Sequence, residues 1–383
     1  MPHQKNNPTP DTTKTIVNVA VGVIHYKNQY LLGFRDATQH QGNRYEFVGG
    51  KIETGESATQ ALIREVAEEA GIAIGDNVIV KLGRLHHDYG DKKVSLQVYK
   101  VELTIQQYEQ HKHRQYGLEG QALTWVDKAG LLAGEYHLPA ANKTILEWLK
   151  LPTQITITYP LGHFSECEDS ATAWLQYHQQ KLPMAAWVYI RLKQSGSAHM
   201  AKQLMAARPD IQVILSHCDD KESLTKHIEP VAHDIDTEHQ VCAIHLTHTE
   251  LLIWVSNILG GLGFETSSDT EKVLDGYLSN DYLPSAYPLI VSCHDIASIT
   301  AANKLADARL QQRLPPVIGA FLSPVLATQT HPDTTPLGWE SWSTLAQLAD
   351  MPVIGLGGVT PLMLDKALEN GGVSVAGIRE FVR

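Results

Sequence analysis

The stretch Gly50–Ile72, GKIETGESATQALIREVAEEAGI, decides how the first third of the chain is read. Ser57 stands where a helix cap belongs, and residues 58–70 hold neither Gly nor Pro. Ala58, Ala61, Leu62 and Val66 recur at helical spacing and make one apolar face. Gly71 then ends the run, as a glycine just past a helix does. Glu65, Glu68 and Glu69 fall at i, i+3 and i+4, so the spacing predicts one carboxylate cluster on the helix surface. Such neighbours repel by roughly a few tenths of a kcal/mol per pair in water. Arg64 offsets part of that. A hard, oxygen-seeking cation offsets it better, and Mg2+ is the usual one where phosphates complete the octahedron. A solvated acidic helix face is the plain alternative for EVAEEAG alone. It leaves Gly50, Glu56 and the Arg64-Glu65 pair at their fixed offsets unexplained.

This run resembles the complete signature box of the Nudix hydrolases, with no departing position. The resemblance implies a sandwich of mixed β-sheet and helices. It also implies Mg2+-dependent hydrolysis, with Mn2+ as substitute, of a nucleoside diphosphate joined to a further group. By the same resemblance Gly50, Glu65, Glu68 and Glu69 would surround the metal, Glu56 would assist the metals or the water, and Arg64 would orient the carboxylates. The chemistry fits, because metals neutralise a diphosphate and stabilise the oxygens of in-line displacement.

Working outward, residues 15–150 read as one domain. Val17, Val19, Val21 and Val23 alternate as a strand does. Tyr30–Phe34, Val94–Leu103 and Leu123–Val126 are further strands, and Ala141–Leu149 reads as a closing helix. The phrases VAVGVI, YEFVGGKIETGES, GLEGQ at 117–121 and LPAANKTI at 138–145 resemble the MutT type within the family, the 8-oxo-dGTP diphosphatases. That resemblance implies that Asn142 reads the oxidised guanine edge and that Arg35 contacts the nucleotide. Glu46 and Phe47 would line the approach, and Glu119 would be a further metal ligand or, as rival to Glu69, the general base. Val48 departs from the family, which usually has Pro there; loop stiffness rather than chemistry is affected. The residues themselves leave alternatives open: a helix cap for Asn142, a plain loop position for Glu119, a surface cation for Arg35. An amide is apt for a purine edge because it offers a donor and an acceptor together.

Residues 151–383 carry eight short apolar runs: Gln154–Tyr159, Ala186–Leu192, Ile211–Leu215, Val241–Leu246, Leu289–Cys293, Val317–Leu322, Val353–Leu356 and Val373–Ile378. Several are continuously apolar, as strands buried on both faces are. Helix-like segments such as Ala171–Lys181, Ala198–Ala207, Ile296–Ala306, Trp339–Leu348 and Pro361–Glu369 separate most of them. The pattern predicts an α/β chain with a C-terminal (β/α)8 barrel; a doubly wound open sheet is the competitor. The last helix reads as short or missing. The long segment 247–287 reads as a loop or small helical insertion rather than a site.

AFLSPVLATQTHPDTTPLGWESW at 320–342 and PVIGLGGVTP at 352–361, with IHLTHTE, VSCHD and YIRLK, resemble the thiamine-phosphate synthase and TenI family. The departures matter more than the match. Arg191 and Lys193 remain, but Tyr189 replaces the expected Gln. Ser216-His217-Cys218 stand where an Asn-Asp pair would help to hold Mg2+ and diphosphate. Glu250 replaces an Asp, His331 follows Thr328 and Thr330 where a Lys is expected, and Arg379 replaces a Ser. Losing the metal-holding Asp and the diphosphate lysine removes charge stabilisation that such a transfer needs. The reading is therefore a degenerate barrel that keeps a thiamine-related phosphate as ligand, at Arg191, Lys193, Thr328, Thr330, Gly357, Gly358 and Arg379. A tight turn is the alternative for the two glycines, and a surface cation for Arg379.

Composition bounds the rest. The 383 residues are 43% hydrophobic and 19% charged, as in a globular protein of two or three domains. The formal net charge of −11 speaks against a broad nucleic-acid-binding surface. Cys167, Cys218, Cys242 and Cys293 lie far apart with no CxxC pair and read as reduced cytoplasmic thiols. Residues 1–14 are polar and Pro-bearing and read as disordered rather than as a signal peptide. No stretch approaches the roughly 18 apolar residues of a membrane span. The function expected is Mg2+-dependent hydrolysis of a nucleoside triphosphate, 8-oxo-dGTP, to the monophosphate and diphosphate. Hydrolysis of a thiamine-pathway diphosphate, or a barrel that only binds, are the rivals.

Overall fold

A computed structural model describes residues 16–38, 42–88, 93–192, 197–217, 238–260, 286–329 and 334–382. The expectations placed on residues 1–14, Lys193, Cys218, Thr330, His331 and the acidic part of the 247–287 segment lie outside the described residues.

The first seven strands make one mixed sheet: β1 (Ile16–Tyr26), β2 (Gln29–Arg35), β3 (Arg44–Glu46), β4 (Val48–Lys51), β5 (Ile79–Asp88), β6 (Lys93–Glu102) and β7 (Ala122–Asp127). Their order is β3-β2-β1-β6-β5, with β4 on β1 and β7 on β2. The β1–β6 pair is parallel, running from Ile16 opposite Lys93 to His25 opposite Glu102, and the others are antiparallel. Helix α1 (Ala58–Ala70) covers one face, burying Ala61, Leu62, Val66 and Ala70 against Ala20, Ile24, Leu31 and Val101. Its boundaries follow from its ends. The Ser57 hydroxyl accepts from the Gln60 amide at 3.2 Å, the Gln60 side chain accepts from the Ser57 amide at 2.9 Å, and Gly71 closes the helix at φ 69°. Ser57→Ala should cost about 1 kcal/mol, read as a lower midpoint in urea unfolding; no shift would mean that α1 is held by packing alone.

Short helices α2 (Ile105–His111) and α3 (Lys128–Ala133) follow, and α4 (Asn142–Leu149) packs under the opposite face of the sheet. After residues 150–153 the chain is already in a barrel strand. Strands β8 (Gln154–Ile157), β9 (Trp187–Ile190), β10 (Gln212–Ser216), β11 (Val241–Leu246), β12 (Leu289–Cys293), β13 (Val317–Leu322), β14 (Val353–Leu356) and β15 (Ser374–Gly377) close into an all-parallel barrel, with β15 beside β8. Helices α5 (Ser170–Lys181), α6 (Ser197–Ala207), α7 (His248–Gly260), α8 (Ile296–Gln311), α9 (Gly338–Leu348) and α10 (Leu364–Glu369) lie along it in sequence. The closed ring excludes the doubly wound alternative. The 247–287 segment begins with α7, a regular helix of 13 residues rather than a loop. Among the described residues, no helix is long and apolar enough to cross a membrane.

The two parts share a core. Val94, Val98, Ile145, Trp148 and Leu149 belong to the same buried cluster as Ile155, Ile290, Ile318, Phe321 and Ile354 of the barrel interior. Trp148 is 3% exposed, and its indole N–H donates to the Val317 carbonyl at 3.1 Å. Beside it β5, an edge of the sheet, meets the loop before β14: Arg84 Nε lies 2.9 Å from Asp350 Oδ1, and the Lys81 ammonium donates to the Gln347 carbonyl at 2.6 Å. Burial between the domains pushes the Lys81 ammonium down to about 8, partly offset by Asp350. Gly83 is required at this crossing, because a β-carbon there would stand 2.6 Å from both the Asp350 carbonyl oxygen and the Trp148 ring.

Candidate active site

Helix α1 and the loop before it bring the acidic residues together. Arg64 is their hub. Its Nε and one terminal nitrogen donate to the two oxygens of Glu56, each at 3.0 Å. The other terminal nitrogen donates to Glu65 at 2.9 Å and Glu68 at 3.0 Å, while the nitrogen that meets Glu56 also donates to the Lys51 carbonyl at 3.0 Å. The guanidinium beside Glu56 holds that carboxyl below its ordinary range.

Glu69 faces the other way. Its Oε2 accepts from the Gly49 amide at 3.1 Å. Burial pushes its carboxyl up to about 7; the Gly49 N–H opposes that, and Glu46, Glu65 and Glu119 add to it. Four carboxylates therefore act on one electrostatic region. Glu65 packs directly over Gly50, where any β-carbon would collide with its carboxyl group. Glycine at 50 is thus the residue that leaves room for an acidic side chain against the backbone.

Among the described residues, no three His, Cys, Asp or Glu side chains form a metal-holding group as they stand. The expected set of Gly50, Glu65, Glu68, Glu69 and Glu119 is not assembled in this conformation, because Arg64 engages Glu65 and Glu68 and Glu119 sits on an exposed turn. The donor chemistry nevertheless suits a hard divalent cation: every candidate is oxygen, and the half-buried Glu69 lies near three like charges. Rotation of Glu65 and Glu68 away from Arg64 would supply the ligands.

The remaining sequence-predicted positions surround this centre. Glu46 and Arg35 pair through Nε at 2.8 Å and a terminal nitrogen at 2.6 Å. Phe47 is 4% exposed and belongs to the core, so it backs the site rather than lining an approach. Asn142 is 7% exposed at the first turn of α4. It is not the cap; Ala141 holds that place, and the Asn142 carboxamide makes no hydrogen bond with a described residue.

In the barrel, Arg191 follows β9 and its amide donates to the Thr158 hydroxyl at 3.0 Å. Thr328 is half-buried after β13, and Arg379 is exposed after β15. Gly357 and Gly358 adopt φ 92° and 70° where their loop runs against Pro324, Leu326 and Ala327, so the tight-turn reading accounts for both. A second set of groups stands at the same strand ends; the sequence reading names His217 and Glu250 only as replacements and gives His248 and His294 no role. His217 Nδ1 lies 3.1 Å from Glu250 Oε1, while Glu250 Oε2 accepts from the Thr247 amide at 2.7 Å and hydroxyl at 2.8 Å. Burial raises the Glu250 carboxyl, but these hydrogen bonds outweigh it and hold the group below its ordinary value. His248 and His294 face each other with ring centres 4.9 Å apart, and His294 Nδ1 donates to the Ser323 carbonyl at 2.7 Å. The signal was available: His217 directly follows β10, His248 and Glu250 come shortly after β11 in the first turn of α7, and His294-Asp295 directly follows β12. Cys293, next to His294, is buried, and burial pushes its thiol up to about 12, which speaks against a nucleophile.

Comparison with known proteins agrees with this division. A NUDIX domain family model matches residues 19–148, and a thiamine monophosphate synthase model matches residues 290–381. The chain is 33% identical over 135 residues to an 8-oxo-dGTP diphosphatase of Escherichia coli (strain K12), spanning 35% of this chain and 96% of that protein. It is 34% identical over 137 residues to an 8-oxo-dGTP diphosphatase of Haemophilus influenzae (strain ATCC 51907 / DSM 11121 / KW20 / Rd), spanning 36% and 93%. A CTP pyrophosphohydrolase of Escherichia coli (strain K12) is 30% identical over 134 residues, spanning 34% and 90%.

Proposed function

The chain belongs to the Nudix family, and from that premise we propose that its N-terminal part hydrolyses 8-oxo-dGTP to 8-oxo-dGMP and diphosphate. The observation that carries the reading is the full set of Glu56, Arg64, Glu65, Glu68 and Glu69 on and before α1, together with the buried Asn142 carboxamide at the start of α4. Similarity to two 8-oxo-dGTP diphosphatases supports the substrate over the cytidine nucleotide of the third relative.

Glu65, Glu68 and Glu69, with the Gly50 backbone and Glu119, would hold Mg2+, which would neutralise phosphate oxygens and acidify a bound water. The chain's own residues do the rest. Glu69, already poised near neutrality, accepts the proton of the attacking water; Glu119 is its rival for that part. Arg64 holds Glu56, Glu65 and Glu68 in place. Asn142 presents a donor and an acceptor to the base edge, and Arg35, steadied by Glu46, reaches the nucleotide.

The test is diphosphate release with Mg2+, comparing 8-oxo-dGTP, dGTP and thiamine diphosphate at equal low concentration. A strong preference for 8-oxo-dGTP is expected. Asn142→Ala should then reduce the 8-oxo-dGTP to dGTP ratio of kcat/KM by about tenfold or more, the worth of one two-point base contact. An unchanged ratio would remove Asn142 as the reader. The second reading, a thiamine-type diphosphate as substrate, is favoured by the match of residues 290–381, and preference for thiamine diphosphate in the same assay would establish it. For the barrel we infer binding of a phosphorylated ligand rather than thiamine-phosphate synthesis, since Ser216-His217 and Glu250 replace the acidic pattern such a transfer needs.

A further inference from the structure

A cleft of about 1550 Å³ opens between the sheet domain and the floor of the barrel. Its barrel wall is the N-terminal rim of β9–β13, and its other wall is one face of α4 with the ends of β5 and β6. We propose that this cleft is a binding site for a phosphate monoester carried on a flat heteroaromatic ring, separate from the acidic helix and from the opposite mouth of the barrel.

Charge is the first argument. Four cations, Lys93, Lys143, Lys150 and Arg313, line the cleft against two carboxylates, Glu147 and Asp307. Both carboxylates are already engaged: Lys150 pairs with Glu147 at 2.6 Å, and Asp307 accepts from the Gln311 amide group at 2.6 Å. Lys93, Lys143 and Arg313 are exposed and make no ion pair with a described residue. In a chain of net charge −11, three cations with no ion partner among the described residues gather around one concavity and favour an anion there. Arg and Lys are the groups that grip phosphate.

Shape is the second argument. The volume exceeds the roughly 300–1,000 Å³ of ordinary ligand pockets, so a ring and its phosphate fit together. Trp187 and Tyr287, both half-buried, line the barrel wall of the cleft, where a bound ring would pack against them. The site is distinct from the hydrolytic one by helix geometry. Lys143, Thr144, Glu147 and Lys150 turn toward the cleft, whereas Asn142, Ile145 and Leu149 are buried on the other side of α4. It exists only because the two domains are joined.

Two sources share this chemistry: a nucleoside monophosphate, such as a Nudix product, and a thiamine-type phosphate. Calorimetric titration of the metal-free full chain with guanosine monophosphate, thiamine monophosphate and inorganic phosphate separates them. At least one ring-bearing probe should bind more tightly than inorganic phosphate, and the tighter of the two identifies the source. Lys143→Glu on one wall and Arg313→Glu on the other should each weaken it about tenfold, with diphosphatase kcat/KM unchanged. Nucleotide held at the hydrolytic site remains as residual binding in both variants. Both positions are exposed, so an unchanged thermal midpoint is the folding control; if either variant unfolds, Lys93→Glu replaces it. Equal affinity in wild type and variants would overturn the proposal. So would inorganic phosphate binding as tightly as both ring-bearing probes, or hydrolysis falling in step with binding.

Discussion

Replacing Glu69 by Gln is expected to lower diphosphatase kcat/KM by at least ~100-fold while leaving the fold intact. The two halves of that expectation come from the same geometry. The half-buried Glu69 carboxylate accepts the Gly49 N–H, which favours its charged form, but desolvation and the nearby Glu46, Glu65 and Glu119 outweigh that and push it up to about 7. Gln keeps a carbonyl oxygen for the Gly49 N–H and fills the same volume. It removes one charge from the oxygen set that would hold Mg2+ and the group that would take the proton from water. Relief of like-charge repulsion makes the variant at least as stable as wild type, so loss of activity cannot be blamed on unfolding. Steady-state diphosphate release and urea unfolding, measured side by side, check both. Turnover near that of wild type would sink the assignment of the site to α1.

The largest expected effect on stability lies elsewhere. Trp148→Ala should cost about 3–5 kcal/mol, the range for deleting a large buried aromatic ring. The ring is 3% exposed, joins the cores of both domains, and gives its N–H to the Val317 carbonyl, which would be left without that donor. The change should appear as one earlier transition in chemical denaturation monitored by circular dichroism, because a continuous core does not let the sheet domain and the barrel melt apart. A shift below about 1 kcal/mol, or two separate transitions, would mean that the domains are only tethered.

Much of this was legible in the chain. The α1 boundaries follow from Ser57, the Gly- and Pro-free run and Gly71, and they match residue for residue. Strands β11, β12, β13 and β14 coincide with the apolar runs because strands buried on both faces leave no polar position to blur the ends. What was not legible has physical causes. In β5 Lys81, Gly83 and Arg84 break the apolar alternation, since that strand meets the barrel rather than a hydrophobic layer. Strands β3 and β4 are too short to show a period. Helix α7 is so apolar that no polar face marks it as amphipathic. For the site, residue types gave the acidic cluster, but only coordinates show that Arg64 gathers Glu56, Glu65 and Glu68 while Glu69 turns to Gly49. At the barrel's strand ends His217 and Glu250 read only as replacements; their pairing, like that of His248 with His294, escaped because the partners lie far apart in sequence.

The seam at Leu149–Gln154 has a bearing on the history of this chain. A fusion between two enzymes usually leaves each free to drift, and a partner that loses its activity can be deleted. Here the indole of Trp148 is built into the floor of the barrel, and Gly83 leaves the space for a backbone that passes against it. Deleting the barrel would strip the cover from Trp148, Leu149 and the β5 edge, leaving a sticky, poorly soluble remnant. Natural selection on nucleotide hydrolysis alone would therefore preserve the barrel's floor and strands, even while the residues at its mouth were free to change.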